Sequence, residues 1–382
     1  MKPLPACLVV ASLVCVSGPA AADAPVVLEP LEAVDAEFES IKPAAPDVSG
    51  WGVLGVSPTK LAELRVTPTE ASEWWDGQVL DLPPRAAVAH RIESPMQAGQ
   101  RFLVCANLRL ADADAEQGRI VAHMLGRSEV MNRTTSAKPV MVDGAWRRAF
   151  MEIDLGPNWP ADAKPSLQIV NIGGSNILID KVSIARITTD EAGFRPLFDG
   201  ASLAGWTGNT EGYGVENGAI RTYPERAGGN LYTTDEFGDF VFRFAFKVPP
   251  GANNGIAIRA PLGGDAAYEG MEVQVLENSH PKYAGLKPWQ FHGSIYGLAP
   301  ALRGYLAPPG EWNHEEIRAE GRKIRVILNG KVINEVDLDK ALEGETLSGR
   351  EHPGAKRLSG HIGFCGHGDV VHFTDLRVRP LE

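Results

Sequence analysis

From about Gly50 onward the chain is cut into short apolar runs that alternate with polar residues and are separated by Gly- and Pro-rich turns. RFLVCANLRL (101–110), AWRRAFMEIDL (145–155), PSLQIVNI (165–172) and NILIDKVSIARI (176–187) follow this pattern, as do DFVFRFAFKV (239–248), NNGIAIRA (253–260), EGMEVQVLE (269–277), RKIRVILNGKVINEVDL (322–338) and SGHIGFCGHGDVVHFTDLRV (359–378). A period of two places successive side chains on opposite faces of a strand, and no helix-period stretch competes except around Pro58 to Leu64. The pattern predicts an all-β protein. Its 382 residues exceed what one core usually serves, and the polar stretch TTDEAGF (188–194) divides the strands into two sets. The expected organisation is two β-sandwich (jelly-roll) domains, over 50–188 and 194–382. Asn329-Gly330 is read as a tight hairpin turn, since both residues accept positive φ.

Ahead of these lie a segment with export character and a linker. Lys2, an apolar stretch from about Leu4 to Val16 and the run Ala20-Ala21-Ala22 have the order of a secretory signal peptide, 1–22, with cleavage expected near Ala22. Neither Cys7 nor Cys15 follows a Leu-small-small triplet, so export ranks above lipidation. Residues 23–49 are Ala-, Pro- and acid-rich and read as a linker. No later apolar run is long enough to span a bilayer, so a soluble, exported, periplasmic or extracellular protein is expected. Lys plus Arg number 37 against 48 Asp plus Glu, a net charge of −11 without basic clusters. This disfavours nucleic acid and anionic membranes as partners and suits a neutral small molecule. Cys105 and Cys365 remain after the signal and are read as separate buried thiols.

The C-terminal motifs carry a resemblance. LFDGASLAGW (197–206), DFVFRFAF (239–246), NNGIAIR (253–259), YEGMEVQVLE (268–277), SIYG (294–297), GEWN (310–313), LNG (328–330) and GHIGFCGHG (360–368) occur in the order seen in the 3-keto-disaccharide hydrolase family, and the likeness spans about Phe194 to Glu382. Resemblance to that family implies a concanavalin-like jelly roll with a sugar on its concave face. It also implies cleavage of 3-keto-glycosides that a sugar 3-dehydrogenase has made beforehand. Three places depart from the family pattern. Phe364-Cys365-Gly366 stands where Leu-Gln-Asp is usual, Thr374-Asp375 where Arg-Asn is usual, and Glu277 where Asp is frequent. More loosely, AGQRFLVCANLRL (98–110) and NILIDKVSI (176–184) are similar to galactose-binding-like sandwiches, which makes Trp74 and Trp75 candidates for sugar stacking.

A 3-keto group acidifies the C2 proton, so the implied chemistry needs a base, a donor for the enolate oxygen and an acid for the leaving oxygen. Strand parity nominates residues. In EGMEVQVLE, Glu272 and Gln274 oppose the apolar Met271, Val273 and Val275, while in DFVFRFAF, Arg243 opposes the Phe residues; these three are expected to share a polar cleft floor. Arg259 could clamp the ketone oxygen or pair with a strand carboxylate. Asn254 opens its strand where a ligand could approach, and Trp289, His292 and Tyr296 lie in the long aromatic segment 281–297. The expected catalytic set is Glu272, His292, Arg259 and Tyr296; the expected binding set is Arg243, Asn254, Gln274, Trp289 and His367. Glu269 and Glu277 read as surface or rim charges. The histidines at 361, 367 and 372 match no compact zinc spacing, so no metal ligands are nominated, although a divalent cation stays open as a cofactor. A sugar-binding module without catalysis and a two-carboxylate hydrolase are the competing readings.

Overall fold

The computed structural model describes residues 27–36, 42–43, 51–54, 65–66, 79–115, 117–188, 191–226 and 228–382. The export segment, most of the linker, 55–64 and the Trp74-Trp75 pair lie outside the described residues. Almost every described element is a strand, and the strands form antiparallel sheets of six, seven, eight and five members, with one short parallel pairing between Lys42–Pro43 and Trp51–Leu54. Among the described residues no helix is long and apolar enough to cross a membrane.

The six- and seven-stranded sheets belong to the N-terminal half and enclose one apolar core, in which Phe102, Val104, Met124, Met151, Trp159, Leu167 and Ile179 are buried. The eight- and five-stranded sheets belong to the C-terminal half and enclose a second core. Cys105 and Cys365 are separate buried thiols. The Asn329-Gly330 turn is the tight hairpin the sequence calls for: both residues have positive φ, 50° and 78°, and Leu328 pairs directly with Lys331.

The second core shows how alternation builds the sandwich. The Phe240–Lys247 strand lies in the eight-stranded sheet and turns Phe240, Phe242, Phe244 and Phe246 inward. Facing them from the five-stranded sheet are Ile256 and Ile258, Met271, Val273 and Val275, and Ile362 and Phe364. Phe364 stacks on Phe373 with ring centroids 4.1 Å apart, so the aromatic faces interlock across the gap.

This arrangement corrects one expectation. Arg243 and Glu272 both oppose apolar faces, yet those apolar faces meet each other, so the polar faces point in opposite directions. Arg243 therefore lies on the outer side of the eight-stranded sheet. There its guanidinium bonds Glu316 at 2.6 Å and Glu191 at 3.2 Å and covers the Phe194 ring at 4.2 Å. It has no place in the cleft of Glu272 and Gln274.

Candidate active site

A strip of small residues, the trough, runs between larger side chains on the outer face of the five-stranded sheet. Across the sheet Glu272 is paired with Ala257, Gln274 with Gly255, and Gly363 with both Ala257 and Tyr232. A Cβ at Gly255 would stand 1.9 Å from Glu272 Oε1, so glycine there lets the carboxylate lie across the neighbouring strand. A Cβ at Gly363 would stand 2.6 Å from Cδ1 of Tyr232, so that glycine seats the Tyr232 ring. Between them Tyr232, Ala257, Ala260, Ala266 and Cys365 form a small apolar cluster that closes the floor.

Glu272 is 4% exposed, and His367 from the turn after the Gly360–Phe364 strand approaches it, with Nε2 3.1 Å from Oε1. The bond to Glu272 raises the His367 pKa above its ordinary value against the opposing effect of burial, and Asp369 and Asp265 add to the rise. The turn is anchored: the Asn253 N–H donates to Asp369 Oδ2 at 3.0 Å, and the Gly366 N–H donates to Asn230 Oδ1 at 3.2 Å. Since Nε2 faces the carboxylate, Nδ1 is the ring nitrogen that Glu272 does not engage, and the His367 side chain is 38% exposed. Gln274 donates to Asn253 Oδ1 at 2.6 Å and to the Asn254 carbonyl at 3.1 Å, which fixes its amide on the floor.

One wall is aromatic. The Tyr296 N–H donates to the Glu272 carbonyl at 2.9 Å, which sets Tyr296 beside the dyad strand. Its ring meets Trp289 edge-on at 4.9 Å and Tyr268 edge-on at 6.3 Å, and its hydroxyl accepts from Gln290 at 3.2 Å. Arg350 lies over the Tyr268 ring at 3.4 Å and pairs with Asp265 at 3.4 Å, bringing a cation to the rim. Burial pushes the phenols of Tyr296 and Tyr232 up, and the Glu272 charge adds to the effect at Tyr296. Burial also pushes the Cys365 thiol up, with Glu272 adding to it. All three groups keep their protons at neutral pH and can act as donors. A buried carboxylate, a basic imidazole and protonated phenols around a shallow trough can together accept one proton and donate another.

Of the expected residues, Glu272, Gln274, Trp289, Tyr296 and His367 come together here, and four do not. His292 lies on the core side, 1% exposed, with Nε2 2.9 Å from Glu315 Oε2 and its ring on Phe246 at 5.1 Å. It is a core histidine set against a buried carboxylate, away from the cleft. Arg259 is wholly buried and donates to Asp239 at 2.8 Å, to the Gly238 carbonyl at 3.0 Å and to the Gly321 carbonyl at 2.8 Å, tying turns together at the sheet end. Asn254 shares the inward face with Ile256 and Ile258, whereas Asn253, one residue earlier, shares the trough face with Gln274. Arg243 belongs to the opposite sheet, as described above.

Glu277 is no rim charge either: it is 4% exposed and accepts from the N–H groups of Gly251 and Ser279. Sequence reasoning missed Asn253, Tyr232, Cys365, Tyr268 and Arg350. Parity applied to Gly363 and Cys365 could have found Cys365, whereas Tyr268 and Arg350 carry no local signal. His361 bonds the Thr233 carbonyl at 2.8 Å, and His372 lies 3.6 Å from Glu216, so neither joins His367. Among the described residues no three His, Cys, Asp or Glu side chains converge as a metal site.

Known proteins resemble the half of the chain that holds the trough. Residues 193–379 match the family described as the 3-keto-alpha-glucoside-1,2-lyase-like domain. A 3-keto-disaccharide hydrolase from Bacteroides thetaiotaomicron is 26% identical over 240 residues, covering 52% of this chain and 81% of the relative. Two crystal structures provisionally described as glycosyl hydrolases from Parabacteroides distasonis are also similar. One is 30% identical, covers 49% of this chain and 99% of its own, and has a TM-score of 0.45. The other is 23% identical, covers 50% and 95%, and has a TM-score of 0.45. The C-terminal half of this chain, residues 193–379, is thus a member of the 3-keto-alpha-glucoside-1,2-lyase-like domain family.

Proposed function

We propose that the chain is an exported enzyme of the glycosidase type that cleaves the glycosidic bond of 3-keto-disaccharides or related 3-keto-glycosides by elimination followed by hydration. The observation that carries the reading is the Glu272–His367 pair set over the small-residue trough. Glu272 holds the Nε2 proton of His367 and raises the basicity of Nδ1, as a carboxylate does for an imidazole base. Nδ1 removes the C2 proton of the bound keto sugar, and the C2–H electrons form an enolate whose oxygen is the former ketone. Tyr232, which accepts from Asn230 Nδ2 at 2.8 Å, has its own O–H to offer that oxygen. Collapse of the enolate restores the ketone, forms a C1–C2 double bond and expels the C1 oxygen, which takes a proton from Tyr296. Water then adds its oxygen at C1 and a proton at C2, so the net reaction is hydrolysis.

The pairing of Glu272 with an imidazole, in place of a second carboxylate, favours this route over two-acid hydrolysis. The unoxidised sugar has no acidic C2 proton, so an oxidoreductase acting on the sugar 3-hydroxyl is the expected upstream partner. Residues 1–22 support export.

The test offers purified protein 3-keto-trehalose and trehalose, with and without chelator, and follows glucose release. Cleavage of the keto sugar alone, lost in Glu272→Gln and in His367→Ala with binding retained, supports the proposal. Sugar binding without cleavage would make the chain a carbohydrate-binding protein, and loss of turnover under chelator would add a divalent cation to the site.

A further inference from the structure

The loop that forms the aromatic wall is held at its far end by the N-terminal sandwich. The Gly304 carbonyl accepts from Asn107 Nδ2 at 3.0 Å and from Arg148 Nη1 at 3.4 Å, both on strands of the six-stranded sheet. Arg148 is itself fixed, donating to Asn107 Oδ1 at 3.0 Å, the Lys181 carbonyl at 3.1 Å and Ser183 Oγ at 2.7 Å. Asn107 and Arg148 are 0% and 2% exposed, so these bonds are shielded from water. The Tyr305 ring, 1% exposed, receives the Arg148 guanidinium at 4.8 Å, and the Tyr305 carbonyl accepts from Asn329. Nearby, a Cβ at Gly330 would stand 2.3 Å from that of Ala185, so the hairpin turn lies directly on the N-terminal sheet.

From Gly304 a continuous set of contacts leads back to the trough. Arg303 covers the Phe291 ring at 3.7 Å, and the Ala301 N–H donates to Ser294 Oγ at 3.1 Å. Ser294 Oγ donates at 3.3 Å to the carbonyl of Pro288, the neighbour of Trp289. The backbone of Ser294 and Tyr296 is then bonded to Gln274 and Glu272. We propose that the N-terminal sandwich serves as a clamp on residues 288–305, with Asn107 and Arg148 as positioning residues that hold Trp289 and Tyr296 in register with the Glu272–His367 pair. The catalytic consequence rests on the function proposed above; the clamp itself does not.

The test is Asn107→Asp in the full chain. Arg148 keeps the new carboxylate ionised, so the bond within the N-terminal sandwich survives, while the donor to Gly304 becomes an acceptor facing another acceptor. Amide exchange over 298–305 is expected to accelerate at least about tenfold, with exchange over 101–110 and 147–154 unchanged and kcat on 3-keto-trehalose reduced more than KM is raised. Arg148→Met is the second variant and is expected to give the same acceleration over 298–305. Unchanged exchange over 298–305, or acceleration confined to the N-terminal strands, would overturn the clamp. Exchange is read without substrate, so either result holds for the clamp even if the keto sugar is not cleaved.

Discussion

Gly255→Ala adds one methyl group to the trough floor and should remove most of the activity. The new Cβ would lie 1.9 Å from Glu272 Oε1, 2.5 Å from Cδ and 2.6 Å from Cγ, whereas ordinary contact begins near 3.4 Å. The carboxylate must therefore retreat by 3.4 − 1.9 = 1.5 Å, because the backbone at 255 is held on both sides, by pairing with Gln274 and by the Cys365 N–H, which donates to the Gly255 carbonyl at 2.8 Å. A shift of that size breaks its 3.1 Å bond to His367. Gly255 has no positive φ, so apart from this clash alanine should suit the strand.

Crowding of this kind costs about 1–3 kcal/mol of stability, and misplacing a catalytic group by an ångström costs about 100-fold in rate. The assay is kcat/KM on 3-keto-trehalose with thermal unfolding run in parallel, as a double-mutant cycle with Glu272→Ala. In the Glu272→Ala background the three atoms nearest the new methyl group are gone and it should cost little further, a coupling of about 2.7 kcal/mol. Activity within threefold of the parent, or the same 100-fold loss in both backgrounds, would refute the reasoning.

Three further predictions concern pH and stability. Because Glu272 raises the His367 pKa, the imidazolium persists to higher pH, and kcat/KM should climb only as pH rises through that raised value; in Glu272→Gln the acid limb should move to lower pH as the plateau falls, and an unmoved limb would remove Glu272 from the dyad. His292→Leu should leave kcat per folded molecule intact but cost about 3–5 kcal/mol in denaturant unfolding, because Glu315 is left buried without its partner. Burial, with Arg377 adding to it, pushes His314 down to about 4, so the folded state binds fewer protons; its contribution is complete above pH 6.5 and is lost as pH falls toward 4, on the order of 3 kcal/mol in all, and His314→Gln should flatten that part of the stability curve.

Alternation along EGMEVQVLE was enough to place Glu272 and Gln274 on one polar face, because a strand has only two faces and Met271, Val273 and Val275 claim the other. The same rule failed for Arg243, since parity assigns a face within a strand and says nothing about which sheet the strand joins. Asn254 was misplaced by one residue: Ile256 and Ile258 fix the inward parity, which makes Asn253 the outward neighbour of Gln274. His292 and Arg259 look like chemistry in a sequence because they are polar in apolar surroundings, but Glu315 and Asp239, the carboxylates set beside them, are 23 and 20 residues away. His367 was legible from its place in the Gly366-His367-Gly368 turn, whereas its contact with Glu272 spans 95 residues and is a property of the folded sheet. The hold of Asn107 and Arg148 on Gly304 spans 197 and 156 residues and has no trace in local pattern.

The central claim is that the Glu272–His367 pair removes the C2 proton of a 3-keto sugar. Its most direct measurement is cleavage of 3-keto-trehalose in deuterated water, with the released 3-keto-glucose examined by NMR at early times against an enzyme-free control. Deuterium at C2 above the control, absent with His367→Ala, is the predicted result. Cleavage at full rate without deuterium at C2, or equally fast cleavage of trehalose itself, would contradict it.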